Sequence, residues 1–132
     1  MVAKLASGFA VMHDLQFLKG YCLLLAYPMV GQLNDLEGEV REQFLRDMAA
    51  LGDAVKGATG AVRINYSIYG NVDPFLHAHV VPRFADEDEQ YRSIPPLSYP
   101  AEVREAPNNR YDEERHGQLR RAIALRLPPH MP

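Results

Sequence analysis

Residues 61–81 constrain the fold most. From Ala61 to Tyr69 the residue types alternate, with Val62, Ile64, Tyr66 and Ile68 on one side and Arg63, Asn65 and Ser67 on the other. A period of two is that of a half-buried strand. Gly70, Asn71, Asp73 and Pro74 then supply turn chemistry. Residues 75–81, Phe-Leu-His-Ala-His-Val-Val, read as a second strand, which Pro82 should end. Two strands joined by so short a turn pair antiparallel.

The same pattern recurs earlier. Residues 8–13 and 20–27 read as two strands with hairpin-like spacing, the second apolar throughout and therefore central. Between the two pairs, Leu36, Val40, Phe44, Met48, Leu51 and Val55 fall on one helical face and predict a helix over 36–56. Asn34 and Glu37 fit a capping box at its start, and Gly57 a stop at its end. Residues 84–111 form a long polar excursion with four prolines, the signature of a functional loop or a flexible arm. Asp112 then caps a last helix whose apolar side, Leu119, Ala122 and Ile123, is thin enough to predict a surface or partner-facing position, with Pro128 and Pro129 expected to close the ordered part. The order strand, strand, helix, strand, strand, helix predicts an α+β fold with a mainly antiparallel sheet.

A chain of 132 residues suits a single domain over 1–132, with its core about 8–84 and the loop and helix of 85–132 beyond. The net charge of −3 leaves no basic footprint for a nucleic-acid polymer, though a small nucleotide needs only a local pocket. Cys22 is alone, so no internal disulfide or CxxC ligand pair is available, and its apolar surroundings make it a core residue. The start lacks a signal-peptide run, and the apolar stretch 21–30 is too short to span a bilayer. A cytoplasmic protein without membrane partners is the expectation.

The chemistry sits on His77 and His79. Side chains two apart on a strand share a face, so the imidazoles project together with Cα atoms roughly 6.7 Å apart. Leu76, Ala78 and Val80 then point into the core. If the preceding strand pairs alongside, Asn65 and Ser67 join the histidine face. A neutral imidazole whose Nδ1–H donates to a carbonyl leaves Nε2 free to attack phosphorus, without the separate base that serine needs. Its neighbour can hold or protonate the surrounding oxygens. A metal site is the other chemical reading of the pair. No acid follows within four residues of His79, and the later histidines, His116 and His130, fall on a helix and in the tail, which weakens it.

Phe75-Leu-His77-Ala-His79-Val-Val-Pro82-Arg83 resembles the signature of the histidine triad (HIT) family, His-φ-His-φ-His-φ-φ followed by Pro-Arg, with φ apolar. The likeness extends over about residues 8–84, through Gly20-Tyr-Cys-Leu-Leu-Leu-Ala-Tyr-Pro28, Asn34-Asp-Leu36 and the helix after it, and Ile64-Asn-Tyr66 to Gly70-Asn71. The resemblance implies a sheet of about five antiparallel strands, a long helix and a C-terminal helix, in a homodimer. It implies hydrolysis or transfer at the α-phosphorus of dinucleoside polyphosphates or nucleoside phosphoramidates, through a nucleotidyl-histidine. It assigns His77 as nucleophile, His79 to the scissile phosphate and leaving group, Asp14 to the ribose hydroxyls, and Asn65 and Asn71 to polar and phosphate-side contacts. Ser67 joins this substrate-binding set by strand alternation alone. No cofactor is required, although a divalent cation can accompany the phosphate.

The chain departs from the pattern in three places. Phe75 holds the first histidine position, Gly31 stands where many relatives carry another histidine, and there is no tryptophan. Two alternatives therefore stay open: a nucleotide-binding protein with little catalysis, and a metal-binding protein using the His77/His79 pair.

Overall fold

The computed structural model describes residues 1–128. Pro129 and His130, invoked above, lie outside them. Five strands form one antiparallel sheet: β1 (Ala3–Leu5), β2 (Gly8–Met12), β3 (Cys22–Ala26), β4 (Arg63–Ser67) and β5 (His77–Arg83), in the order β1-β2-β3-β5-β4. Helix α1 (Gly38–Thr59) joins β3 to β4, the four-residue α2 (Ala101–Arg104) lies in the long connection, and α3 (Glu113–Leu125) ends it. The α+β class and the antiparallel sheet are as expected. The four strands read from the pattern are all present, and β1 is the fifth.

The sheet separates two apolar layers. On one face Cys22, Leu24, Leu76, Ala78 and Val80 pack with Phe44, Leu51 and Val55 of α1, and with Ile123 and Leu127 from α3 and its end. Burial pushes the Cys22 thiol up to about 12, as befits a core residue. On the other face Leu18, Tyr21, Val81 and Tyr99 form a smaller cluster. Alternation along β5 therefore sends Leu76, Ala78 and Val80 to the helix and His77 and His79 to the opposite side.

Several boundaries differ from expectation for local reasons. Asn34 is not an N-cap: Leu33–Asp35 form a 3-10 turn, Glu37 occupies the cap without a side-chain bond, and the helix starts at Gly38. Gly57 does not stop α1. The chain leaves the helix at Gly60, whose φ of 74° only glycine adopts without strain and whose N–H donates to the Lys56 carbonyl. Val40 in the first turn is exposed, so the buried stripe begins at Phe44. Pro82 lies inside β5, opposite Ile64, and does not end it. β3 stops pairing at Cys22–Val80, so beyond that point a missing N–H costs no ladder bond on that side.

Helix α3 lies at the surface, as expected, with one side buried. It packs on α1 of the same chain with Ile123 fully buried. Asp112 caps it as expected, accepting from the Glu114 N–H at 2.8 Å.

The 84–111 excursion is a strap over the second apolar layer. Tyr91, Ile94, Tyr99 and Val103 pack there beside Leu18, Tyr21 and Val81. Arg83, 8% exposed, pins it. Its guanidinium donates to both Glu87 carboxylate oxygens, to the Tyr91 and Ile94 carbonyls and to Asn65 Oδ1. Glu87 also accepts from the Phe84 N–H at 2.6 Å and from the Tyr99 hydroxyl. Burial alone would raise the Glu87 carboxyl, but hydrogen bonds from Arg83, Tyr99 and Phe84 outweigh it and hold the group below its usual value.

Candidate active site

The sheet face turned away from α1 carries the histidines. His77 and His79 stand on β5 with ring centroids 5.2 Å apart. Across β3 their direct neighbours are Leu25 and Leu23, so the imidazoles rest on an aliphatic floor. Across β4 the neighbour of His79 is Ser67. Asn65 shares that side of β4, but its side-chain oxygen is taken by Arg83 Nη1 at 2.9 Å.

Each imidazole has a defined partner. Nδ1 of His77 lies 2.8 Å from the backbone carbonyl of Phe75. A carbonyl only accepts, so Nδ1 carries the hydrogen and Nε2 keeps its lone pair. The Phe75 ring lies 4.8 Å from that of His77, but it is the backbone of Phe75 that orients the imidazole. His79 Nδ1 lies 2.6 Å from the Tyr21 hydroxyl. Tyr21 is fully buried, and burial holds its phenol well above the usual range, so it stays protonated. The phenol has no other hydrogen-bond partner among the described residues, so it donates to Nδ1 and leaves the hydrogen of His79 on Nε2. Burial first, then the adjoining His77 and His13, lower His79 to about 4, so it is neutral at physiological pH.

A third histidine, not anticipated in sequence, completes the row. His13 follows β2 directly, stacks on Tyr21 at 4.1 Å and 11°, and lies 6.5 Å from His79 between ring centroids. The Leu15 N–H donates to its Nδ1 at 3.0 Å, and burial lowers its pKa. Gln16, 1% exposed, organises the loop that carries both His13 and Tyr21. Its Nε2 donates to the His13 and Tyr21 carbonyls, each at 2.8 Å, and its Oε1 accepts from the Gly20 N–H at 2.9 Å. A buried glutamine is indistinguishable in sequence from a surface one. Tyr21 carried a faint signal, as one of two tyrosines in an apolar run, the other being Tyr27.

The other expected residues are less closely gathered. Asp14 is exposed beside His13, and its carboxylate makes no ion pair among the described residues. Asn71 is exposed in the turn after Gly70, with no side-chain bond that sets it apart from a turn residue. Among the described residues no group of three or more His, Cys, Asp and Glu side chains is placed to hold a metal ion. Beside His79 opens a cleft of about 690 Å³, lined by Tyr21, Ser67 and Tyr69 near the histidine and by Arg63, Arg92 and Leu97 farther out.

No known protein-family profile matches the chain, and no curated protein sequence does. Solved structures do match. A histidine triad (HIT) protein from Sinorhizobium meliloti 1021 superposes with a TM-score of 0.80 at 19% identity, covering 96% of this chain and 87% of its own. The chain has the histidine triad fold. A hypothetical histidine triad nucleotide-binding protein from Sulfolobus tokodaii is similar at a TM-score of 0.70 and 14% identity, over 95% of this chain and 80% of its own. A zinc-bound histidine triad family protein from Mycobacterium smegmatis is similar at 0.60 and 21%, over 94% and 82%. In this histidine triad fold, both histidines of the strand motif face away from the long helix. No helix among the described residues is long and apolar enough to cross a membrane.

Proposed function

We propose that the chain is a histidine triad protein that hydrolyses or transfers at the α-phosphorus of a nucleotide, with His77 as nucleophile. The observation that carries this reading is the 2.8 Å bond from His77 Nδ1 to the Phe75 carbonyl, which puts a hydrogen on Nδ1 and leaves Nε2 as the nitrogen that can attack.

In the first step Nε2 of His77 forms a bond to the α-phosphorus, and the bond from phosphorus to the leaving group breaks, its electron pair going with that group. His79, neutral and carrying its hydrogen on Nε2, donates to the departing atom or to a phosphoryl oxygen. In the second step water attacks the phosphorus of the nucleotidyl-histidine. The P–N bond breaks with its electron pair returning to Nε2, the water proton passes to bulk solvent, and neutral His77 returns. Asp14, exposed beside His13, takes the ribose hydroxyls. Ser67 and the free amide nitrogen of Asn65 bind phosphoryl oxygens, with Asn71 at the rim. Phe75 occupies the first triad position. Its side chain is dispensable to this scheme, because the backbone carbonyl holds His77. No step requires a cofactor, and the chain works as a homodimer.

Turnover tests the reading. Dinucleoside polyphosphates and nucleoside phosphoramidates, offered separately, should each be tried for release of a nucleoside monophosphate. His77→Ala should abolish the activity. Full turnover by that variant would remove His77 as nucleophile, and tight nucleotide binding without turnover would make the protein a binding module.

A further inference from the structure

The cleft beside His79 has a chemical character of its own. No aspartate or glutamate lines it, although the chain as a whole has a net charge of −3. Three arginines do. Arg83 is fully engaged in pinning the strap and is no longer available to a ligand. Arg63 and Arg92 are exposed and make no ion pair among the described residues. They come from two separate elements, Arg63 from β4 and Arg92 from the strap. Tyr69, 58% exposed, adds an aromatic face. A volume of about 690 Å³ is in the range of small-ligand sites and would hold a phosphorylated group of nucleotide size.

Its position relative to the histidines gives it a direction. Neither histidine lines the cleft, but three residues that adjoin His79 do: Tyr21, its hydrogen-bond partner, Ser67, its neighbour across β4, and Tyr69, whose ring lies 5.9 Å from it. In displacement at phosphorus the attacking and departing atoms lie roughly in line. A group displaced by His77 therefore departs away from it, on the side of His79.

We propose that this cleft is the leaving-group site and that Arg63 and Arg92 select a leaving group that is itself phosphorylated. The inference rests on the nucleotidyl-transfer reading above. When the P–O bond breaks, its electron pair stays on the oxygen of the departing phosphate or phosphate chain. Two guanidiniums near that chain stabilise the developing charge. An amine leaving group takes its proton from water and departs neutral, so it gains no charge for the arginines to stabilise.

The test is kinetics with two substrates sharing one nucleotide half: diadenosine triphosphate, whose leaving group is anionic, and adenosine 5′-phosphoramidate, whose leaving group is ammonia. The variants are Arg63→Gln, Arg92→Gln and the pair together, all at exposed positions. The double variant should lower kcat/KM for diadenosine triphosphate at least tenfold and change that for the phosphoramidate less than twofold. Equal effects on both substrates, or none on either, would overturn the proposal. If the wild-type protein turns over neither substrate, the nucleotidyl-transfer reading fails, and calorimetry with inorganic tripolyphosphate still decides the cleft. Wild type should bind it, and the double variant at least tenfold more weakly. Unchanged or absent binding in that titration would remove the anion site.

Discussion

The Tyr21 hydroxyl and His79 Nδ1 lie 2.6 Å apart, although the residues are 58 positions apart in sequence. The phenol fixes which nitrogen of His79 carries the hydrogen. Tyr21→Phe removes that donor and keeps the ring that stacks on His13 and packs beneath the strap. It should lower kcat about tenfold, the rate equivalent of one hydrogen bond, with KM nearly unchanged. Steady-state kinetics checks this. An unchanged kcat would mean that the Nε2 hydrogen of His79 takes no part in the rate-limiting step.

Stability should fall on the acid side because of the same histidine. The unfolded chain binds a proton at His79 near 6.5, while the folded protein does so only at about 4. Stability is therefore full above about 6.5 and is lost as pH falls toward 4. Burial of His13 and His116 adds in the same direction. His79 should contribute about 1–2 kcal/mol of this loss, less than a full conversion because its ring borders the open cleft. Urea unfolding at pH 7 and pH 4.5 measures it, and His79→Gln should flatten the difference.

Arg83 should be the costliest single charge to remove. Arg83→Leu leaves Glu87 buried, with its hydrogen bonds cut to those from Tyr99 and Phe84. A destabilisation of about 3–5 kcal/mol is expected from breaking one side of a buried ion pair. Replacing both, Arg83→Leu with Glu87→Leu, should cost less than Arg83→Leu alone. Chemical denaturation of the three proteins gives the comparison.

The sheet was legible because its strands alternate and its turns carry glycine and proline. The shared face of Ser67, His77 and His79 follows from that alternation, whereas the register that sets Ser67 opposite His79 does not. β1 was not legible, since three residues are too few to show a period. Helix ends were misplaced where Asn34 and Gly57 carry cap chemistry but the backbone turns elsewhere, at Gly38 and Gly60. The third histidine was hidden for a different reason. His13 reaches the site through the buried hydrogen bonds of Gln16, which have no local pattern. The strap was likewise hidden, because its order depends on Arg83 meeting carbonyls eight to eleven residues further on.

Phe75 should matter less than its position implies. The bond that orients His77 comes from the backbone carbonyl, which every residue supplies. Phe75→His should leave turnover within about fivefold of wild type, a barrier change of about 1 kcal/mol. A larger gain would show that the ring at this position takes a direct part in the chemistry.

The central claim is a covalent bond between a nucleotide and His77. Wild-type protein mixed with substrate and quenched at alkaline pH should carry one nucleotidyl group, located by peptide mass spectrometry at His77 and absent from His77→Ala. A nucleotidyl group on His79 or His13 instead, or turnover persisting in His77→Ala, would contradict it.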